Sequence, residues 1–459
     1  MKDSHMKTQS GKTPLIVSYF LSTLMGNAAI TLAGYQEIWI LGTGEAATGY
    51  LAAYAGVATV FAWINAVAYF FAMGTGCLVA SSEIPRAFDK ANLGLLWGVV
   101  TGLVIGTIGF FAPEEWVMLL GAKKESLSLT YHGIRWMMTG SPLLIAGHVL
   151  AWVLRSIGKK CISSIGLILM GLGQIVIALI LQQCGVERYR AVIGSIIGGQ
   201  ILSTLYFVSC WIYFLNKQKK SVLIAGERKV KKKLSHKRQC LCEVLGDMKE
   251  ITKAGLPSLA RQGSISLGLA VSNVIAGLYS LEAQSVMTAG NRFMTLPFGV
   301  VVAVCQAYQP IAGQEMRRQE TSKEEYYIAR RFGLWMSSLA VIGLFLTGRG
   351  MLRMIPGELP GKEALLVVLG SQLVALPFVM YSQLVVTQFQ ICRDWKRGIF
   401  LAVLRNGLFF VPVLWVAHKM LGIWGVLIGQ SLTDLLVFPV AIKMIKKAGI
   451  FDKMMQKTR

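Results

Sequence analysis

Long apolar segments alternate with short polar ones along the 459-residue chain. We count about twelve segments near the 20 residues that a helix needs to cross the hydrocarbon core of a bilayer. The first, from Pro14 to Leu41, is too long for the core of a signal peptide and has no cleavage site, so it is predicted to be a membrane span. The pattern therefore predicts an all-α polytopic membrane protein. Its spans begin near Pro14, Gly49, Ala91, Leu127, Cys161, Ala191, Met248, Ser285, Arg331, Ala364, Gly398 and Leu421.

The composition agrees with this interpretation. Hydrophobic residues make up 54% of the chain and charged residues 15%, whereas a soluble protein carries about 25% charged residues. Soluble enzymes, disordered chains and nucleic-acid binders are therefore excluded as classes, even though the net charge is +23. The eight cysteines are scattered, Cys240 and Cys242 have the wrong spacing for zinc, and there are only five histidines. We predict no metal site and no cofactor.

Lysine and arginine residues gather in alternate loops between the predicted spans. All of these loops then lie on one side, which the positive-inside rule assigns to the cytoplasm. Both termini are predicted to be cytoplasmic, in the cytoplasmic membrane of a bacterium, although Lys123, Lys124, Arg188 and Arg190 fall on the opposite side. The basic loops contain Lys2, Lys7 and Lys12; Lys159 and Lys160; Lys217 to Arg238; Arg317 and Arg318; Arg393, Lys396 and Arg397; and Lys443 to Arg459.

The two halves of the chain repeat one another. Pro142 and Pro377 are 235 residues apart, and so are Gly42 and Gly277. A constant offset indicates duplication of a six-helix unit, and an even number of spans makes the two units parallel repeats around a central cleft. The predicted domains are a cytoplasmic tail (1–13), an N-lobe (14–215), a basic cytoplasmic linker (216–247), a C-lobe (248–446) and a basic tail (447–459). The linker could alternatively bind RNA or anionic lipid, but its position between two halves favours a linker and no nucleic-acid partner.

Several motifs, in order along the chain, resemble those of the multidrug and toxic compound extrusion (MATE) family. The likeness extends from about Pro14 to Lys447 at the family's usual length. It implies a proton- or sodium-coupled antiporter that exports organic cations, drugs or metabolites, with lipid around it, a small cationic or amphipathic substrate, and a monomeric chain. The motifs are Glu37 to Gly42, Gly255 to Gln262, Gln306 to Gly313, Leu404 to Pro412, and Gly422 to Gly425 with Asp434.

Glu37 is the candidate coupling residue, because an ionisable side chain inside a membrane span is costly and is often functional. It lies about five residues from the outer end of the first span, and the resemblance places a coupling carboxylate here; the alternative is a carboxylate at the membrane interface. Gln174 and Ser195 complete the candidate ion site, whereas Ala178 stands where many family members have Asp. Since sodium prefers several hard oxygen ligands, we favour a proton as the coupling ion and keep sodium as the alternative.

Polar and aromatic residues near the predicted cleft are candidates for contacting substrate. Arg261 has two interpretations: a counter-charge to a carboxylate such as Glu37 or to an anionic substrate group, or a buried residue that binds backbone carbonyls. Arg155 is predicted to reach the cytoplasmic interface. The full set of cleft candidates is Tyr35, Trp39, Arg261, Gln262, Asn273, Gln306 and Gln309.

Other residues are predicted to have structural roles. Arg405 and Asp434 lie at similar depths in the last two spans, so they are predicted to form an ion pair. Pro142 and Pro377 are predicted to mark helix bends, and Gly74 to allow close helix packing.

Two other functions compete with the antiporter. A related flippase of a lipid-linked precursor would need a cationic cleft, for which Arg261 and Arg292 are candidates. A membrane enzyme would need a nucleophile, metal or nucleotide motif, and we find none in the sequence. We therefore predict that the protein is not an enzyme.

Overall fold

Fourteen α-helices follow one another in the part of the chain that the computed structural model describes, which is residues 2–43, 46–82, 84–120, 127–229, 241–279, 287, 290–291, 293–317, 323–353 and 362–448. A 3-10 turn at Glu114–Leu120 and a π-helical turn at Leu404–Leu408 join neighbouring helices. The helices are α1 (Lys2–Leu41), α2 (Ala47–Ser81), α3 (Ile84–Phe111), α4 (Leu127–Thr139), α5 (Ser141–Ser156), α6 (Lys160–Gln183), α7 (Arg188–Lys229), α8 (Leu241–Tyr279), α9 (Thr295–Arg317), α10 (Lys323–Arg353), α11 (Lys362–Ile391), α12 (Trp395–Val403), α13 (Phe410–Leu421) and α14 (Ile423–Ala448).

The helices confirm the prediction of an all-α membrane fold. Nine of those described are long and apolar enough to cross a bilayer, and α4 with α5 makes a tenth span that is bent by 47°. The bend falls at Gly140, two residues before Pro142, and α11 continues through Pro377 without a break. Helix α8 and the α12–α13 segment occupy the positions of predicted spans seven and eleven. The total of twelve spans stays a prediction.

The predicted domain boundaries fall partly within helices. Helix α1 begins at Lys2, inside the predicted first tail. Helix α7 continues to Lys229 and α8 begins at Leu241, so both extend into the predicted linker. Residues 230–240, in the predicted linker, lie outside the described part. So do residues 449–459, which make up most of the predicted basic tail.

Two hydrophobic cores organise the helices. The buried residues of the first core come from 38–211, and most of those of the second come from 301–448. The start of α1 is an exception, because Ile16, Tyr19 and Phe20 are buried in the second core. Helix α1 therefore joins the two halves, with its first part in one core and its last part in the other.

Helices α2 and α8 cross at glycines. A Cβ atom on Gly74 would lie 2.5 Å from the carbonyl oxygen of Ile251, and one on Gly255 would lie 2.3 Å from that of Phe70. The backbones touch at this crossing, which confirms the packing role predicted for Gly74. Helix α1 packs on α9, and α8 packs on α2. The first helix of each half therefore packs on the second helix of the other half.

Candidate functional site

Glu37 lies at the meeting point of three helices of the first half. Its side chain is buried, with 6% exposed. The Nε2 atom of Gln174, on α6, donates to Oε1 of Glu37 over 2.6 Å, and the hydroxyl group of Tyr54, on α2, donates to Oε2. The structure therefore brings together Glu37 and Gln174, the predicted pair, and adds Tyr54.

The donors around Glu37 suit a carboxyl group that changes its protonation state. A tyrosine hydroxyl can donate to a carboxylate and can accept from a carboxylic acid, and a glutamine amide can present either its NH2 group or its oxygen. Both groups are neutral, so neither gains or loses charge when Glu37 does. The arrangement can hold Glu37 in place in both protonation states.

Ser195 does not make a hydrogen bond with this cluster in the structure. It is buried on α7, and its hydroxyl donates to the carbonyl oxygen of Val192, on the same helix, over 2.8 Å. Ala178, one turn after Gln174 on α6, is also buried. The side chains that donate to Glu37 include those of Tyr54 and Gln174.

A cavity of about 480 Å³ lies between the halves at the predicted cytoplasmic end, and a second one of about 350 Å³ lies toward the opposite end. We call them the inner cavity and the outer cavity. The outer cavity is lined by α2, α8, α11 and α14, by the start of α9 with the residues before it, and by the π-helical turn. Its walls combine apolar and aromatic side chains with amides, among them Phe61, Asn65, Met294, Phe298, Gln372 and Gln430.

Arg405 and Asp434 form a buried ion pair in the wall of the outer cavity. The Nε atom of Arg405 donates to Oδ1 of Asp434, and Nη2 donates to Oδ2 over 3.2 Å. The guanidinium group also lies 5.3 Å from the centre of the Phe298 ring. The π-helical turn Leu404–Leu408 carries Arg405, and such turns are frequent at functional sites. The predicted partners are therefore in contact and face a space that a ligand can enter.

Arg261 has a partner other than Glu37. Its Nη1 atom donates to Oε1 of Gln383, on α11, over 3.3 Å, and Nη2 lies 3.5 Å from the Met73 sulfur. The Oγ atom of Ser258, one turn earlier on α8, receives a hydrogen bond of 2.9 Å from Gln390. Arg261 thus belongs to a buried polar layer between α2, α8 and α11. Gln262, the next residue, is half-buried.

The remaining cleft candidates lie in different places. Tyr35 donates to the carbonyl oxygen of Phe293 over 2.9 Å and so links α1 to the second half. Trp39 is 50% exposed and lines neither cavity. The side chain of Asn273 lies outside the described part, as does Arg292.

Gln306 and Gln309 lie near the inner end of the interface between the halves. Gln306 is buried and accepts from Arg155, and Gln309 lines the inner cavity. Arg155 itself is only 3% exposed. The expectation that it reaches the interface was wrong, because Gln306 and Ser163 hold its side chain inside the protein.

Two helical halves, with a cavity toward each end of the interface between them, make a polytopic membrane protein with an internal cleft. The comparisons show which known proteins it resembles. Residues 14–182 match the MatE family model. The chain is 22% identical to the multidrug export protein MepA of Staphylococcus aureus over 445 residues, which cover 92% of this chain and 90% of MepA.

Solved structures extend the likeness to the whole fold. A MOP superfamily transporter from Pyrococcus furiosus superposes with a TM-score of 0.77 at 18% identity, over 96% of each chain. An outward-facing multidrug resistance MATE transporter also gives 0.77 at 18% identity, over 97% of each chain. The chain is therefore similar to MATE transporters in sequence and in fold. Its long apolar helices make it a multi-pass protein of a bacterial inner membrane.

Proposed function

We propose that the protein is a secondary antiporter that exports amphipathic organic cations, including drugs, in exchange for inward protons. The observation that carries this proposal is Glu37, a buried carboxyl group held between the neutral side chains of Gln174 and Tyr54. The likeness to the multidrug export protein MepA supports the substrate class.

Protons suit this site better than sodium. Sodium prefers several hard oxygen ligands at once. Ser195 donates to the backbone of its own helix, and Ala178 has no oxygen in its side chain. Glu37 can carry one proton without further ligands.

The outer cavity is the proposed substrate chamber. Its aromatic and methionine side chains, such as Phe61, Met294 and Phe298, suit flat apolar cations. Asp434 offers a negative charge, which is paired with Arg405. A cationic substrate would compete with Arg405 for this carboxylate.

Alternating access requires the two halves to move relative to one another. The contacts that must change are those of α1 with α9 and of α2 with α8, because these helix pairs join the halves. Glu37 is on α1 and Tyr54 on α2, so a change of protonation acts directly on the two helices that the first half contributes to the interface.

The test is ethidium efflux from cells that lack their own exporters, with proton and sodium gradients applied separately. We expect a pH gradient to drive efflux by the wild type and Glu37→Gln to abolish it, because the amide cannot carry a proton. Glu187→Gln is the matched control: Glu187 lies in the loop before α7, and its carboxylate bonds to Tyr50 and Arg190. Efflux driven only by sodium, or retained in Glu37→Gln, would contradict the proposed coupling.

A further inference from the structure

The inner cavity has a basic lining. Arg155, Lys253 and Arg393 face it, and Glu250 is the acidic residue among its described lining residues. The Oε2 atom of Glu250 lies 3.8 Å from Nζ of Lys90, so part of its charge is already balanced elsewhere. A cavity that receives only organic cations gains nothing from this excess of positive charge.

Arg155 is the most buried of these three cationic side chains. Its Nη1 atom donates to Oε1 of Gln306 over 3.1 Å and its Nη2 atom to Oγ of Ser163 over 3.2 Å. Its Nε–H group is buried and makes no hydrogen bond with any described residue. Gln306 and Ser163 are neutral, and burying a charge without an opposite charge beside it is costly. An anion in the cavity would supply the missing opposite charge.

Two amide oxygens near Arg155 are also buried without a donor. Gln309 uses its Nε2 atom on the Cys77 sulfur at 2.8 Å, and Gln390 uses its Nε2 atom on Oγ of Ser258 at 2.9 Å. The Oε1 atoms of both glutamines are buried and accept no hydrogen bond from the described residues. A ligand that carries O–H or N–H groups next to its negative charge would donate hydrogen bonds to these oxygens.

The internal repeat explains why these groups share one cavity. Arg155 and Gln390 are 235 residues apart, the offset that also relates Pro142 to Pro377. Equivalent positions of the two halves therefore face each other across the inner cavity, one as a cation and the other as an amide. A single small ligand between them would contact both halves at once.

We propose that the inner cavity binds a hydroxyl-bearing oxyanion, the chemistry of a phosphate monoester or a hydroxycarboxylate, through Arg155, Gln309 and Gln390. Lys253 and Arg393 draw the anion in from the predicted cytoplasmic side. The inference deepens the proposed function, because it gives the cargo an anionic group in addition to a cationic or apolar part. Binding itself requires no transport and is tested separately.

The experiment is a calorimetric titration of the purified full-length protein in detergent at constant ionic strength. The probes are inorganic phosphate, which carries hydroxyl groups at neutral pH, sulfate, which carries none, and tetramethylammonium chloride. We expect saturable binding of phosphate and no saturation by tetramethylammonium chloride. Sulfate should bind at least about tenfold more weakly, because it has no O–H group to donate to the amide oxygens. Equal binding of phosphate and sulfate would overturn the role of the two amide oxygens.

Arg155→Gln is the decisive variant, and Arg397→Gln is its control, since Arg397 pairs with Asp394 and does not line the cavity. We expect Arg155→Gln to weaken phosphate binding at least tenfold and Arg397→Gln to leave it unchanged. If Arg155→Gln does not fold, the double variant Lys253→Gln with Arg393→Gln, at exposed positions, must weaken binding by at least threefold. Unchanged binding in the folded variant would overturn the proposal.

Two further measurements are needed. One distinguishes a soluble anion from a lipid head group, and the other distinguishes the proposed anion site from the proposed proton coupling. Saturation by phosphate assigns the site to a soluble anion, and saturation only by dioctanoyl phosphatidylglycerol assigns it to a lipid head group; no saturation by either overturns anion binding. Glu37→Gln is expected to lose coupled efflux and to bind phosphate normally. Efflux retained in Glu37→Gln would contradict proton coupling while leaving the result for Arg155 intact.

Discussion

Asp434 forms a buried ion pair with Arg405, and in the proposed function the same carboxylate also attracts a cationic substrate. Both side chains are at most 8% exposed, so neither charge can be replaced by bulk water when its partner is lost. Breaking a buried pair by removing one partner costs about 3–5 kcal/mol, whereas removing both partners costs much less.

We therefore expect Asp434→Asn to lower the free energy of unfolding by about 3–5 kcal/mol. The double variant Arg405→Gln with Asp434→Asn should recover a large part of this loss, because no buried charge is left unpaired. Thermal unfolding of the purified protein, followed by circular dichroism, measures both. An Asp434→Asn variant as stable as the wild type would show that water or another group already balances Arg405.

At the scale of helices, the crossing of α2 and α8 depends on the absence of side chains. The crossing is made by Gly74 and Gly255, whose backbone atoms approach those of the facing helix. An added methyl group there meets backbone rather than a flexible side chain, so the helices themselves must shift.

Gly74→Ala is therefore expected to destabilise the protein by about 1–3 kcal/mol, the usual cost of overpacking. Gly49→Ala, on the same helix, is the matched control, because a Cβ atom there meets nothing within 4 Å. The midpoint of thermal unfolding of the two variants should differ by several degrees. Equal midpoints would contradict backbone contact at this crossing.

The site illustrates what the sequence can and cannot predict at these two scales. Glu37 is predictable because a carboxyl group in an apolar span is costly, and Gln174 because the resemblance to a family places an ion site at its position. Tyr54 was not selected as a site residue, since its contact with Glu37 joins two helices and depends on their rotation. Arg155 was misplaced for a similar reason: Lys159 follows it by one turn, but Gln306, which holds it inside, is 151 residues away.

At the scale of the whole molecule, the orientation in the membrane is the prediction that governs the proposals. It places the N-terminal end of α1, the C-terminal end of α14 and the inner cavity on the cytoplasmic side. The structure shows where the helices and cavities lie, and the distribution of basic loops predicts which end of the molecule faces the cytoplasm.

Reporter fusions test this orientation. Alkaline phosphatase fused after Glu187 is expected to be active and green fluorescent protein at the same position dark, because the loop between α6 and α7 is predicted to face outward. After Lys447 the two reporters should show the reverse. An active phosphatase after Lys447 would invert the molecule and would place the basic cavity on the outside.

The sharing of α1 between the two cores also has a consequence for how the protein is made. Ile16, Tyr19 and Phe20 are buried against residues that begin at Val301, roughly 280 residues later in the chain, and a ribosome needs roughly 15–60 s to add them. For that interval the first helix has entered the bilayer without the surface on which its first part packs. The second half therefore provides the surface on which the first part of α1 packs. The earliest helix to be synthesised is among the last to reach its final packing.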